Sequence, residues 1–321
     1  MPETIQQSNP IIYLAPLQGF TDFVYRKAYS EIFQGIDAFF IPYISVKNNQ
    51  ILKKYKKEIY LENNPKIRVI PQVLANSADD MLFLSEFLKD KGYHEFNLNL
   101  GCPYPMVTNR EMGAGLLPHP GKLEAILTSF FEKSNLRLSM KLRAGLHTAS
   151  EIEQVIPILN RIPLTEVIFH PRIAKQLYEG EILNSAFQYA QQNLKHKLVY
   201  NGDIFSVDDF KNKQQLFPQT AHWMLGRGVL MNPFLPAEIK GIQYTEDGKQ
   251  QKLISFHKRV FELYTENMDN EGNALNKMKQ FWIYFSYNFN NQHKTYKIIN
   301  KVNSMSNYKF EIQSIFAPCS D

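Results

Sequence analysis

Glu95-Phe96-Asn97-Leu98-Asn99-Leu100 runs straight into Gly101-Cys102-Pro103, a short apolar stretch stopped by a loop that carries a thiol. A run of this length without a strict in-out pattern suits a strand covered on both faces. Similar runs lie on either side. IIYLA (from Ile11), AFFIPYI (from Ala38) and IRVIPQV (from Ile67) precede it. LRLSMKL (from Leu136), EVIFH (from Glu166), KLVYN (from Lys197) and HWMLG (from His222) follow. The intervals between them are long enough for a helix. Asn76-Ser77-Ala78-Asp79 reads as a helix start, with Gly92 as the stop; Thr148 to Glu151 and Ser206 to Asp209 have the form of capping boxes. Strands alternating with helices, eight times over, predict an α/β fold closed into a (β/α)₈ parallel barrel, with an open doubly wound sheet as the alternative.

The pattern changes near Gly241. Tyr244 to Gln251 reads as a polar linker, and the segments after it have helical periodicity, with Leu275, Met278, Phe281, Trp282, Phe285 and Phe289 on one face. Residues 1–242 are therefore expected to form the barrel and 243–321 a small helical domain. Its last stretch, residues 290–310, mixes Lys with Tyr, Asn and Gln, a composition that suits either an RNA-binding surface or a solvated helix face.

The chain has 321 residues, 44% hydrophobic, enough for a large core. A net charge of +5 tolerates a polyanionic partner without requiring one. Cys102 and Cys319 are far apart and unlike a zinc spacing, so neither a disulfide nor a metal is expected, and a reducing cytoplasm is the expected location. Met1 to Pro10 lacks the pattern of a signal peptide, and no apolar stretch reaches the ~18 residues of a membrane span. A soluble monomer is expected.

Barrel enzymes place reactive groups at the C-terminal ends of their strands. That rule selects Pro16, Leu17 and Gln18 after the first run, Gln72 in the third, and Asn99 with Cys102 after the fourth. It also selects Lys141 and Arg143, His170, Asn201-Gly202-Asp203, and Gly226-Arg227 after the later runs. Glycines in the last two loops let backbone N–H groups approach an anion, so a phosphate-bearing cofactor is expected there, with Arg227 adding charge. Lys141 would supply the positive charge that a flavin needs beside N1 and the C2 carbonyl, and Gln72 a hydrogen bond to its polar edge. Cys102, on a Gly-Cys-Pro loop, is either a small core residue or an exposed, reactive sulfur; the loop favours the second.

The segment Asn99-Leu-Gly101-Cys102-Pro103, followed by Val107, Gly113 and Ala114, resembles the signature of the tRNA-dihydrouridine synthases. Ala15-Pro16-Leu17-Gln18-Gly19, with Thr21, Asp22 and Arg26, is similar to another of the family's blocks, with Leu17 in place of its Met. Gln72, Met140 to Arg143, His170 to Arg172, Asn201 to Asp203 and Gly226 to Gly228 match further blocks in order, and the likeness runs from about Ile11 to Phe289. Phe96, and the loop from His170 to Gly180, depart from the pattern. The resemblance implies bound FMN, NADPH as electron source and a uridine of tRNA as substrate. It implies flavin contacts for Pro16, Leu17, Gln18, Gln72, Lys141, His170, Asn201, Gly202, Asp203, Gly226 and Arg227. Cys102 would be the catalytic acid, giving a proton to C5 while hydride passes from flavin N5 to C6; Asn99 and Arg143 would lie near the base. The competing readings are an FMN barrel reducing a free pyrimidine and an RNA-binding relative without flavin.

Overall fold

The computed structural model describes residues 9–47 and 50–317. The strands are β1 (Ile11–Leu14), β2 (Ala38–Lys47), β3 (Gln50–Ile51), β4 (Arg68–Leu74), β5 (Glu95–Leu100), β6 (Arg137–Gly145), β7 (Val167–Ile173), β8 (Leu198–Asn201) and β9 (His222–Leu225). β1 pairs in parallel with both β2 and β9, so eight strands close into a barrel, and β3 is an antiparallel appendage of β2. Each run read from the sequence forms one of the barrel strands.

Their unbroken apolarity has a simple cause. Tyr13, Ala38, Phe40, Ile70, Ile168, Val199 and Met224 fill the barrel, while alternate residues such as Ile12, Leu14, Phe39 and Phe169 pack outward under the helices. On β4 to β6 the inward positions become polar: Gln72, Asn97, Asn99, Ser139 and Lys141. The opposite end of the barrel is closed by ion pairs. Arg68 meets Glu95 at 2.9 Å and the buried Glu166 at 3.3 Å, and the Tyr13 hydroxyl donates to Glu166 at 3.0 Å.

Ser77 caps helix Ala78–Asp90 by accepting from the Asp80 amide, and Ser206 with Asp209 forms the expected reciprocal box. Only half of the box at Thr148 forms: Glu151 accepts from the Thr148 amide at 3.1 Å, while the Glu151 amide bonds the Thr148 carbonyl rather than its hydroxyl. Ser150 takes the cap position without a side-chain bond, and Glu151 folds back to accept from the amides of Leu146, His147 and Thr148. One carboxylate satisfies three donors there, and the Thr148 and Ser150 hydroxyls bond to each other.

The expected linker is also revised. Thr245 accepts from the Gly248 amide and caps a helix, Glu246–Asn267, whose first turn carries Glu246 and Asp247. Acidic residues at a helix N-terminus complement its dipole, which is why this polar stretch coils. Helices Glu271–Phe285, Gln292–Lys301 and Met305–Phe316 follow. In the lysine-rich last stretch, Lys294, Lys297, Lys301 and Lys309 are exposed, but Tyr308 is core: its hydroxyl meets His257 at 2.6 Å and accepts from the Trp282 indole at 2.8 Å. The helices dock on the barrel through Phe256, which packs edge-on to Tyr25 and Phe33. No helix among the described residues is long and apolar enough to cross a membrane, and Cys319 lies outside them.

Candidate active site

At the C-terminal ends of the strands opens a cavity of about 570 Å³. Pro16, Leu17, Gln18, Gln72, Asn99, Cys102, Lys141, Arg143, His170, Asn201, Gly202, Asp203, Gly226 and Arg227 all line it, so the structure gathers every singled-out residue at one mouth. That size falls within the range of small-molecule and cofactor sites.

The polar side of the barrel forms one directed chain of hydrogen bonds. Asn99 Nδ2 donates to Gln72 Oε1 (2.7 Å), Gln72 Nε2 to Asn97 Oδ1 (2.8 Å) and Asn97 Nδ2 to Ser139 Oγ (2.8 Å). Asn99 Oδ1 in turn accepts from the amides of Gly101 (3.0 Å) and Cys102 (2.8 Å). Asn99 thus shapes the loop that holds the thiol. Gly113 closes it from the other side: its φ is +56°, and a Cβ there would stand 2.9 Å from the Cys102 carbonyl oxygen.

The expectation of an exposed sulfur is corrected. Cys102 is 8% exposed and packs with Leu74, Val107 and Met112, although it still borders the cavity. Burial raises the thiol pKa against the pull of the Tyr104 amide, Tyr43, Arg143 and Lys141. A thiol of this kind keeps its proton at neutral pH, which suits an acid rather than a nucleophile.

Lys141 lies beside it on β6. Burial and the nearby Arg143 push its ammonium down to about 7, and no carboxylate among the described residues opposes that shift. His170 is held neutral by burial and the surrounding cations, and its Nε2 has no hydrogen-bond partner. A buried donor or acceptor left unpaired costs stability, so an orphaned ring nitrogen at a cavity points to a ligand. Arg143 is spread over backbone: its nitrogens donate to the carbonyls of Gly101 (3.0 Å), Ile173 (3.0 Å) and Leu177 (2.6 Å). The guanidinium therefore ties the Cys102 loop to the loop after β7.

Asp203 is flanked by two arginines. Burial opposes its ionisation, but bonds from Arg172 and Arg227 outweigh that and lower its pKa. Gly228, whose Cβ would fall 2.1 Å from the Ile204 carbonyl oxygen, brings the loops after β8 and β9 together. Arg227 then lies over the rings of Tyr178 (4.7 Å) and Phe205 (5.2 Å).

Several lining residues escaped the strand-end rule. Tyr104 and Tyr178 sit within loops, Tyr43 lies on the irregular part of β2, and Tyr284 comes from helix Glu271–Phe285. Tyr284 packs edge-on to Phe20 at 5.0 Å, so the helical segment supplies part of the cavity wall. Arg172 was legible as the third residue of the His170-Pro171-Arg172 block, but only its bond to Asp203 shows its place.

A closed parallel barrel whose mouth gathers a strand-end lysine, two arginines and a proton-bearing thiol on the neighbouring strand's loop is a (β/α)₈ enzyme architecture with its site at the strand ends. The family model described as "Dihydrouridine synthase (Dus)" matches residues 13–317, and the chain belongs to that family. It is 24% identical over 232 residues to tRNA-dihydrouridine synthase B of Pasteurella multocida, covering 70% of this chain and 67% of the relative. It is 23% identical to the protein of that name from Escherichia coli K12, over 73% of this chain and 72% of the relative. Among solved structures, morphinone reductase superposes with a TM-score of 0.52 at 12% identity, covering 76% of this chain and 94% of that one, a likeness of fold.

Proposed function

We propose that this protein reduces a uridine of tRNA to 5,6-dihydrouridine, with FMN as its cofactor and NADPH as the source of electrons. The observation that carries the reading is the placement of Cys102, on the loop after β5, and Lys141, on the neighbouring β6, in one cavity of a chain of the dihydrouridine synthase family. The relatives, tRNA-dihydrouridine synthases by name, supply tRNA as the substrate.

The residues present fit a flavin mononucleotide. Lys141 has no carboxylate neighbour and is free to pair with the negative charge that collects near N1 on reduction. The orphaned His170 Nε2 gains a partner, and Gln72 and the segment Pro16 to Gln18 border the ring's place. The loops Asn201 to Asp203 and Gly226 to Gly228, with Arg227, hold the phosphate; Asp203 keeps that arginine oriented. When bound, the reduced flavin supplies the hydride that C6 of the uracil receives.

The chain's own groups do the rest. Cys102 delivers its proton to C5, where negative charge gathers after hydride addition, and burial keeps that proton in place until then. Asn99 and Arg143 stand near the base and fix the loop from which the thiol acts. The uridine must leave the RNA stack to enter a barrel mouth, so the tRNA is distorted on binding. The helical segment, through Tyr284 and its exposed lysines, cradles the RNA.

The test is incubation of a tRNA transcript with the purified protein, FMN and NADPH, followed by mapping of dihydrouridine. Appearance of the product at a defined position is expected, with free uracil left unreduced. Reduction of free uracil in preference to tRNA would favour a small-molecule reductase, and a colourless protein that FMN does not bind would leave only RNA binding.

A further inference from the structure

The cysteine's partner across the cavity comes from β2, at a break in the strand's register. Ile41 pairs with Pro71 of β4 and Ile44 with Val73, so Pro42 and Tyr43 together oppose the single residue Gln72. This is a bulge. Pro42 lacks the N–H that a regular ladder would use, and bulges re-aim side chains near active sites. Ile41 and Ile44 both pack outward under the helices, whereas Tyr43 lines the cavity. Its ring packs against the cluster of Leu74, Cys102, Val107 and Met112, which places its hydroxyl where it interacts with the Cys102 thiol.

Resting on the function proposed above, we propose that Tyr43 is a catalytic residue, donating a hydrogen bond to the Cys102 sulfur as the thiol gives up its proton. In that step the S–H bond breaks, its electron pair stays on sulfur and a C5–H bond forms on the uracil. The hydride already delivered to C6 comes from flavin reduced by NADPH. The sulfur becomes an anion in a site that burial makes hostile to charge, and a fixed donor stabilises it without reorganisation. Burial and the neighbouring thiol raise the tyrosine's own pKa, so it stays protonated and serves as a donor. Lys141 and Arg143 from β6, Tyr178 from the loop after β7 and the Tyr104 amide also face this sulfur; Tyr55 and Tyr104 face Tyr43. Among these, Tyr43 brings a neutral side-chain O–H to the thiol from the packed wall of the cavity.

The experiment uses the full chain in a Cys319→Ser background, so that Cys102 is the one thiol, and follows iodoacetamide alkylation against pH. Tyr43→Phe keeps the ring packing and removes the donor. Its alkylation profile should move up by about one pH unit, with single-turnover uridine reduction about tenfold slower and flavin content unchanged. If the substitution impairs folding, 3-fluorotyrosine at position 43 keeps the shape and strengthens the donor, and the profile should move down. An unmoved profile overturns the hydrogen bond. A moved profile with unchanged turnover overturns the catalytic role. A protein that reduces no tRNA uridine yet shows the shift removes the tRNA reading and the catalytic role built on it, while the Tyr43–Cys102 bond stands.

Discussion

Lys141 sits on β6 with burial and Arg143 pressing its ammonium towards the neutral form, down to about 7 from an ordinary 10.5. Between those two values the unfolded chain holds a proton that the folded chain does not. The native state therefore loses stability as pH falls from about 10.5 towards 7, and the full cost remains below that. Replacing the cation with a neutral side chain of similar length relieves the cost. We expect flavin-free Lys141→Met to melt several degrees above the parent at pH 7, the gap narrowing by pH 9.5, while its FMN affinity drops. Thermal melts at the two pH values, with flavin titration, check both halves; a variant less stable at pH 7 would show that the ammonium is already well paired. Cys102→Ala makes the complementary case. It removes the acid but no proposed flavin contact, so the protein should stay yellow while uridine reduction falls about 100-fold or more. Near-normal turnover in single-turnover assays would end the thiol's role.

Among the elements, the barrel strands were readable because each is buried on both faces. A run such as Phe39-Phe40-Ile41 has no solvent side to interrupt it. Strand-end polarity likewise exposed the site residues, since a closed barrel gives polar groups at that end one place to point. What periodicity could not carry was register. The bulge that turns Tyr43 inward depends on pairing with β4, and Tyr178 reaches the cavity from a loop shaped by bonds from Arg143 to distant carbonyls. Local geometry also escaped: at the start of helix Glu151–Leu159 a hydroxyl cap was expected, but the chain enters the helix at Ser150 and the Glu151 carboxylate gathers the amides of Leu146, His147 and Thr148. That element has its own test. Glu151→Ala strands the amides of Leu146, His147 and Thr148, partly exposed to water, and should cost about 1–2 kcal/mol in urea unfolding. Ser150→Ala, whose hydroxyl bonds only to Thr148, should cost less than about 0.5 kcal/mol. Equal costs would mean that the hydroxyls cap the helix after all.

Across the whole molecule, barrel and helical segment meet at Asp22. Its carboxylate caps helix Phe23–Ile32 through the Tyr25 amide at 3.2 Å, accepts from the Tyr264 hydroxyl at 3.0 Å and pairs with Lys277 at 3.1 Å. The loop just before it, carrying Pro16, Leu17 and Gln18, is pinned by Thr21, whose Oγ1 accepts from the Leu17 amide. With Phe256 set among Tyr25, Tyr29 and Phe33, the interface is a continuous apolar core, so the two parts should unfold together. The chain carries its own reporters: Trp223 in β9 and Trp282 in helix Glu271–Phe285 are its two tryptophans. Single-tryptophan variants of the flavin-free protein, made with Trp223→Phe or Trp282→Phe and followed by fluorescence in urea, should give coincident midpoints against far-UV circular dichroism. Lys277→Met breaks a partly exposed ion pair, a long 3.4 Å bond to the Gly19 carbonyl and a contact with the Tyr264 ring, and should cost about 1 kcal/mol, less than the loss of Asp22 itself. Asp22→Ala uncaps the helix and leaves the buried Tyr264 hydroxyl without an acceptor, so a loss of about 2–4 kcal/mol is expected. The Trp282 transition should then precede that of Trp223, and FMN retention should fall although no flavin-lining residue has changed. Transitions that separate already in the parent protein would make the helical part an independently folding unit and detach the loop after β1 from its control.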